Sequence, residues 1–263
     1  MSDTLTVERT GAVATLTLRR PGSMNSLSVE LKEALHAALT EVRDDDSVRA
    51  VVLAGDGRAF CVGQDLREHV ALLESDDPAP LGTVREHYNP ITLALAEMPK
   101  PVVAAVRGMA AGAGAALAFA ADFRVGGPST AFLMAFANVG LGPDTGASWT
   151  LQRLVGYAKA TELLLLAEPV DVTEADRLGL LTRVVAADDE VLPAAQALAA
   201  RLAEGPTVAY REIKASLAYA ATATLAEALE REAEAQATTG ATQDHRDATA
   251  AFVAKRQRVF TGR

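Results

Sequence analysis

The first third of the chain carries the clearest pattern of apolar and polar positions. Residues 4–18 alternate apolar and polar side chains on either side of Thr10-Gly11, which predicts a β-hairpin. After Ser28, a candidate N-cap, apolar residues recur at helical spacing. The stripe consists of Leu31, Leu35, Leu39 and Val42. We expect Glu30, Lys32 and Glu33 to lie outside it, on the solvent face of this helix.

A buried strand is predicted at 50–54, and a short apolar segment follows at 59–62. Gly63 ends that segment before a predicted helix at 65–73. Residues 74–83 are rich in Asp, Pro and Gly, which predicts a mobile loop. A further helix is expected at 84–96.

Residues 102–122 form the stretch around which we expect the chain to be organised. A run of β-branched residues ends at Arg107-Gly108 and gives way to a segment of Ala and Gly, which predicts a strand, a tight turn and a helix. Few side chains project there, so a ligand could approach the first-turn N–H groups of the helix. The segment therefore suits an oxyanion or phosphate site, and equally suits close packing of a helix on a sheet.

The second half is predicted to be mainly helical. Short strands are expected at 123–125, 131–133 and 181–185, and residues 139–148 have the Gly content of a loop. Helices are predicted at 149–155, 157–167, 173–178, 190–203, 206–219, 224–238 and 242–258. We find no sequence repeat, but a strand-strand-helix rhythm recurs and indicates an α/β fold. The helical tail is either a self-contained layer or an oligomerisation surface.

Composition narrows the function classes. The chain has 263 residues, of which 49% are hydrophobic, and a net charge of −9. An acidic chain without a basic stripe argues against nucleic acid as a partner. A single cysteine, Cys61, rules out an internal disulfide and fits a reducing compartment. No signal pattern begins the sequence, and Arg107 interrupts the longest apolar run, so we expect a soluble, cytoplasmic protein with no membrane partner.

Several motifs of known chemistry are missing or incomplete. The four histidines show no metal-ligand spacing, so no metal site is predicted. Neither a G-x-S-x-G elbow nor a P-loop is present. The segment that begins at Gly112 matches a dinucleotide fingerprint only in part, because Leu117 replaces its third glycine. A nicotinamide-binding protein is therefore a weak alternative.

Asp144 is the most interesting candidate for acid-base chemistry. Pro143-Asp144-Thr145-Gly146 is a good turn sequence, and Asp144 could also cap the helix that follows. The functional alternative is a carboxylate at the edge of a Gly-rich loop, between Leu141 and Trp149. Apolar surroundings would make it a better base than a solvated carboxylate.

Three segments together resemble the enoyl-CoA hydratase/isomerase (crotonase) superfamily. They are Arg20-Pro21 through Leu27, Ala59 through Leu66, and Val106 through Ala118. The resemblance runs from about residue 4 to the end. Within the superfamily, further motifs are similar to those of the ring-1,2-epoxyphenylacetyl-CoA isomerases of aerobic phenylacetate breakdown: Gly63-Gln64-Asp65-Leu66, His87-Tyr88-Asn89-Pro90, Met134-Ala135-Phe136, Gly142-Pro143-Asp144 and the ending from Lys255-Arg256 to Phe260-Thr261-Gly262-Arg263.

The resemblance implies a ClpP/crotonase spiral of strand-strand-helix repeats with a C-terminal helical trimerisation region. It places a core with the CoA and acyl site at 1–200, and helices for oligomerisation and CoA contact at 201–263. The partners implied are an acyl-CoA substrate and further copies of the chain, as a homotrimer or a dimer of trimers. No cofactor is implied, because CoA is part of the substrate. Loop 74–83 would form part of the acyl pocket wall.

The resemblance also assigns residues to roles. The two backbone N–H groups that hold the thioester oxygen fall on Gln64 and Ala113. Residues expected to contact CoA or substrate are Ser23, Asn25, Ser26, Leu27, Ala59, Gly63, Asp65, Leu66, Gly112, Phe136, Phe252 and Lys255. For Lys255, an ordinary basic helix end is the alternative explanation.

One departure from the family pattern bears on the reaction. The two glutamates of the family's hydratases fall on Ala116 and Phe136, whereas the isomerase-type acid position falls on Asp144 and is filled. A single base suffices to move a proton between two carbons of one substrate. We therefore expect an isomerase acting on an unsaturated or ring-epoxide acyl-CoA. The alternatives are an enoyl-CoA hydratase and a non-catalytic CoA-thioester binding protein.

Overall fold

The computed structural model describes residues 3–75 and 77–263 of the chain. The strands are β1 Leu5–Thr10, β2 Val13–Leu18, β3 Ala50–Gly55, β4 Ala59–Cys61, β5 Val102–Val106, β6 Met109–Ala111, β7 Phe123–Gly126, β8 Ala131–Leu133, β9 Val170–Asp171 and β10 Arg183–Val184. Among these residues they form one sheet of order β1-β2-β3-β5-β7-β10 and a smaller one of order β4-β6-β8-β9.

The larger sheet begins with the predicted hairpin, in which Leu5 pairs with Leu18 and Thr10 with Val13. From β2 onward, β3, β5, β7 and β10 are added in parallel. Parallel strands need crossover connections, and their two faces are covered by helices. Both faces of β3 and β5 are accordingly buried, which explains why their sequences are continuous apolar runs.

The helices are α1 Val29–Asp44, α2 Leu66–Glu74, α3 Asn89–Ala96, α4 Ala113–Ala120, α5 Ala147–Val155, α6 Tyr157–Leu166, α7 Val172–Arg177, α8 Val191–Ala203, α9 Thr207–Ala220, α10 Leu225–Gly240 and α11 Gln243–Val253. One face of the large sheet packs in the main core with the apolar stripe of α1, and the other face packs against α8. The Ser28 hydroxyl caps α1 by accepting from the N–H of Leu31. The α/β class is confirmed. No helix in the described ranges is both long and apolar enough to span a bilayer.

Some sequence predictions were wrong in detail. The stretch 102–122 contains a strand that the sequence did not reveal, because β6 lies between the Gly108 turn and α4. Only three residues long, β6 is too short for its apolar pattern to show a period. The last helix ends at Val253 and not at 258, because the N–H groups of Lys255 and Arg256 turn back to Phe252 and Ala251. Lys255 then adopts a left-handed conformation outside the helix.

Lys32 was assigned to the wrong face of α1. Its side chain is fully buried, although Glu30 and Glu33 are exposed as expected. Lys32 lies three residues before Leu35 and seven before Leu39, so it shares their face of the helix. The segment that leads into α3 covers this edge of α1, and the Lys32 ammonium donates there to the Thr83 hydroxyl at 2.5 Å.

The C-terminal helices are joined to the core by polar contacts. Lys214 of α9 forms an ion pair with Asp122 at 2.7 Å, and Arg49 donates to the hydroxyl of Thr207 and the carbonyl of Phe260. Helix α8 crosses residue 200 and packs on the sheet. The division at residue 200 stays a prediction. In the predicted loop 74–83, residue 76 lies outside the described residues.

Candidate functional site

Two turns from distant parts of the chain meet at the edge of the small sheet. Gly63 follows β4, and Ala113 opens α4 after β6, which pairs with β4 in parallel. A Cβ placed on Gly63 would lie 2.9 Å from the carbonyl oxygen of Ala111 and 3.2 Å from the amide nitrogen of Ala113. Gly63 also has φ +85°, so glycine is required there for two independent reasons.

The backbone N–H groups of Gln64 and Ala113 become neighbours through this contact. Leu27 donates to the carbonyl of Gly63 at 2.7 Å and accepts from the N–H of Asp65 at 3.3 Å. In such a parallel bridge the N–H of Gln64 points away from Leu27. Ala113 is the first residue of α4, so its N–H has no carbonyl acceptor within the helix. A Cβ on Gly112, the residue before it, would meet no atom within 4 Å. The amide nitrogen of Ala113 therefore lies beside the turn that carries Gln64, and neither N–H group has a backbone acceptor within the described ranges.

The loop before α1 is tied to the same edge by buried polar groups. Asn25 is fully buried and donates to the carbonyls of Asp56 and Ala59, both at 2.8 Å. Ser26 donates to the carboxylate of Asp65 at 3.1 Å, and Arg20 pairs with that carboxylate at 2.8 Å. The structure thus brings together eight of the residues expected to contact CoA or substrate: Ser23, Asn25, Ser26, Leu27, Ala59, Gly63, Asp65 and Leu66.

Asp65 is the charged centre of this loop. Its burial raises the pKa of the carboxyl, but hydrogen bonds from Arg20, Ser26 and the N–H of Arg67 outweigh that effect and hold the pKa below its usual value. Asp65 also caps α2 through the bond from Arg67. The carboxylate therefore stays ionised and joins the loop before α1 to the N-terminus of α2. Arg20 had no predicted role, because the carboxylate that it binds lies 45 positions away in the chain.

Asp144 lies in the turn before α5, where its side chain is half-buried, and it forms no ion pair within the described part of the chain. Burial raises the pKa of its carboxyl above the usual value, and a hydrogen bond from the Thr145 hydroxyl (2.7 Å) and the charge of Lys32 offset this in part. The turn lies one residue later than predicted, because the N–H of Ala147 donates to the carbonyl of Asp144. The alternative that Asp144 caps the helix was wrong, since Gly146 is the N-cap of α5 and no side chain caps this helix. A partly desolvated carboxylate is a stronger proton acceptor than one in water. This residue can act as a base and, once protonated, as an acid.

A buried polar cluster that the sequence analysis missed adjoins these groups. Tyr88, only 1% exposed, donates its hydroxyl hydrogen to the side-chain oxygen of Gln64. The Lys32 ammonium lies 5.1 Å from the centroid of the Tyr88 ring. Burial raises the pKa of Tyr88 and the negative charge of Asp144 raises it further, so the phenol remains a neutral donor. The stripe position of Lys32 on α1 was the signal that could have revealed this cluster.

The remaining residues to which the resemblance assigned positions differ in burial, since two lie in the core and two are exposed at the C-terminus. Phe136 is buried in the main core, and Ala116 is fully buried within α4. At the C-terminus, Phe252 is 73% exposed and Lys255 is exposed beyond α11. No hydrogen bond or ion pair among residues 3–75 and 77–263 links either side chain to the loop around Asp65. In these ranges no three His, Cys, Asp or Glu side chains are grouped to hold a metal ion.

Comparison with known proteins gives a consistent result over nearly the whole chain. Residues 8–263 match the model of the enoyl-CoA hydratase/isomerase family. A 1,2-epoxyphenylacetyl-CoA isomerase of Escherichia coli (strain K12) is 42% identical over 95% of both chains. A probable enoyl-CoA hydratase of Rhodobacter capsulatus is 41% identical over 99% of this chain and 98% of that relative.

Solved structures of related proteins have the same fold over nearly the whole chain. A crystal structure of a putative enoyl-CoA hydratase/isomerase from Mycobacterium abscessus superposes with a TM-score of 0.95 at 42% identity, over 98% of this chain and 100% of that one. A putative enoyl-CoA hydratase from Streptomyces coelicolor A3(2) gives a TM-score of 0.94 at 43% identity, covering 99% of this chain and 94% of that chain. The predicted crotonase fold is confirmed by these matches.

Proposed function

This chain belongs to the enoyl-CoA hydratase/isomerase family, and from that premise we propose that it is an isomerase that moves a proton on an unsaturated or ring-epoxide acyl-CoA thioester. One observation carries the proposal. Asp144 is a carboxyl group whose burial raises its pKa, in a turn beside the core. The positions of the hydratase glutamates hold Ala116 and Phe136. Of the three positions at which the family resemblance expects a catalytic carboxylate, only position 144 holds one.

In the proposed reaction, the Asp144 carboxylate removes a proton from the carbon next to the thioester carbonyl. The C–H electron pair forms a double bond to the carbonyl carbon, and the carbonyl π pair moves onto the thioester oxygen, which becomes negatively charged. The N–H groups of Gln64 and Ala113 donate to that oxygen and stabilise the enolate. Asp144 then returns the proton to a second carbon, so the product has the same composition as the substrate and no co-reactant is consumed.

The CoA moiety is proposed to bind along the loop from Ser23 to Leu27 and beside Ala59 and Asp65. Phe252 and Lys255 are proposed to reach CoA from the C-terminal region. We further propose a cytoplasmic homotrimer or dimer of trimers, and no cofactor apart from the CoA of the substrate. Exposed apolar side chains on the C-terminal helices, such as Leu225 and Val253, support assembly with other copies.

An enoyl-CoA hydratase is the second candidate function. It is favoured by the 41% identity to the Rhodobacter capsulatus relative that carries this name. In that case Asp144 would activate a water molecule alone. A non-catalytic CoA-thioester binding protein is the alternative from another class.

The test is turnover of a 3-enoyl-CoA, of the ring-epoxide thioester and of crotonyl-CoA by the wild-type chain and by Asp144→Asn. The exposed carboxylate of Glu168 provides the matched control, Glu168→Gln. We expect isomerisation in the wild type and the control, and a loss of at least about 10²-fold in Asp144→Asn. Unchanged activity in Asp144→Asn would exclude this base. Fast hydration without isomerisation would favour the hydratase, and tight binding of all three thioesters without turnover would favour the binding protein.

A further inference from the structure

The chain makes an unusually wide turn where it enters α3. Residues Val84–Tyr88 form a π-helical turn, in which the N–H of Asn89 donates to the carbonyl of Val84. Pro90 follows, and its ring cannot be accommodated against the carbonyl four residues earlier in a regular helix. The wide turn resolves that conflict. It also leaves Asn89 exposed and directs Tyr88 into the protein.

Tyr88 is held by contacts from its own helix and from α1. Its carbonyl accepts from the Thr92 hydroxyl at 2.8 Å, and the Lys32 ammonium packs over its ring. The ammonium itself is anchored by Thr83, whose hydroxyl is 3.1 Å from Nδ1 of His87. A tyrosine fixed in this way presents its hydroxyl in one direction, and that direction is the carboxamide of Gln64.

The backbone hydrogen bonds that hold this segment are made by the residues on either side of Gln64. The bridge to Leu27 uses the carbonyl of Gly63 and the N–H of Asp65, which flank Gln64. The preceding glycine places no side chain between β4 and α4. The hydrogen bond from Tyr88 therefore acts on Gln64 itself, whereas the other hydrogen bonds act on its neighbours Gly63 and Asp65.

We propose that Tyr88 is a positioning residue whose hydroxyl, through the side chain of Gln64, fixes the direction of the Gln64 backbone N–H in the oxyanion hole. This inference rests on the proposed function in one respect, namely that the N–H of Gln64 donates to a thioester oxygen. Neither Tyr88 nor the Gln64 side chain has to touch the reacting carbons. A donor that is aimed before the reaction stabilises the developing charge without further reorganisation.

The first experiment measures binding and does not depend on turnover. Hexanoyl-CoA is a saturated thioester, and S-hexyl-CoA is the matched thioether without the carbonyl oxygen. The ratio of their dissociation constants in calorimetric titrations reports the oxyanion hole alone. We expect the wild type to bind the thioester more tightly. In Tyr88→Phe, which keeps the ring, this preference should fall about three- to tenfold while thioether binding stays within twofold.

The second experiment is a double-mutant cycle that combines Tyr88→Phe with Gln64→Met and measures the same thioester preference. Gln64→Met removes the carboxamide and keeps the backbone N–H. If Tyr88 acts through Gln64, both single variants and the double variant lose a similar share of the thioester preference. In the isomerase assay, kcat should fall about tenfold with KM within threefold. Tyr157→Phe, on an exposed tyrosine of α6, is the control and should leave both measurements unchanged.

The outcomes separate the two proposals. A Tyr88→Phe variant with the wild-type thioester preference, or a wild type with no such preference, would overturn the positioning role. So would losses in the two single variants that add up in the double variant. If the thioester preference collapses in Tyr88→Phe but no isomerisation is seen in the wild type, the positioning role stands and the proposed reaction is wrong.

Discussion

The substitution Gly114→Ala tests how closely α4 packs against β4. Alanine favours the helix through its higher helix propensity, but its Cβ needs space that the packing does not leave. Gly114 is the second residue of α4 and lies against β4. A Cβ at this position would overlap the carbonyl oxygen of Cys61, and it would lie 2.7 Å from the carbonyl carbon. Ordinary contacts begin at 3.4 Å, so the start of α4 must move back by roughly 1 Å to clear that oxygen.

The expected cost follows from two opposing terms. Overpacking of a well-packed core costs about 1–3 kcal/mol, and alanine in place of glycine in a helix gains about 0.5–1 kcal/mol. Overpacking prevails, so Gly114→Ala should be destabilised by about 1–2 kcal/mol. For a chain of this size, this corresponds to a fall of about 2–8 °C in the unfolding midpoint. The same movement displaces the N–H of Ala113, so kcat should fall by about 10- to 100-fold, since a 1 Å misplacement costs up to about 10²-fold.

The matched control is Gly240→Ala at the end of α10, where a Cβ meets no atom within 4 Å. It should leave kcat unchanged and raise the midpoint slightly. Thermal unfolding followed by circular dichroism, together with steady-state isomerase kinetics, measures both effects. A Gly114→Ala protein that unfolds within 1 °C of wild type and keeps kcat within twofold would refute the close-packing argument.

Three further changes test the electrostatics and the buried loop. Lys32→Met removes a cation that lowers the pKa of Asp144, so that pKa should rise and the acidic limb of the kcat/KM profile should move to higher pH. Asn25→Ala leaves buried carbonyls without donors and should cost about 3 kcal/mol in urea unfolding. Asp65→Asn removes a carboxylate whose pKa is held low in the folded chain. Wild type should therefore be more stable than this variant at neutral pH, and its advantage should shrink below about pH 4 as the carboxylate is protonated.

Each of these changes has its own control. Thr83→Val removes the acceptor of the Lys32 ammonium and keeps the charge, so an equal pH shift in both variants would contradict the electrostatic account. Asn138→Ala breaks a single 3.3 Å bond and should cost less than about 1 kcal/mol, and a loss equal to that of Asn25→Ala would argue against the buried network. For Asp65→Asn, a stability difference that stays constant down to pH 2 would show that charge is not the cause.

The sequence by itself determined the elements whose pattern is local. The hairpin around Thr10-Gly11 and the α1 stripe follow from spacing of two and 3.6 residues, and the strand at 102–106 follows from a short continuous run of apolar residues. The glycine-rich motifs around Gly63 and Gly112 also pointed to backbone donors and to the family. Each of these features depends on a few residues that are close together in the sequence, so it can be recognised without knowledge of the tertiary structure.

Only the tertiary structure decided which groups face one another. Gln64 and Ala113 are about fifty residues apart and meet because β4 and β6 pair in parallel. Lys32 is charged, which suggested a solvent face, but the turn before α3 closes over its side of α1. The burial of Tyr88 and the raised pKa of Asp144 likewise depend on packing from several elements. Periodicity reports one face of one element, whereas desolvation and hydrogen bonding depend on everything packed around a group.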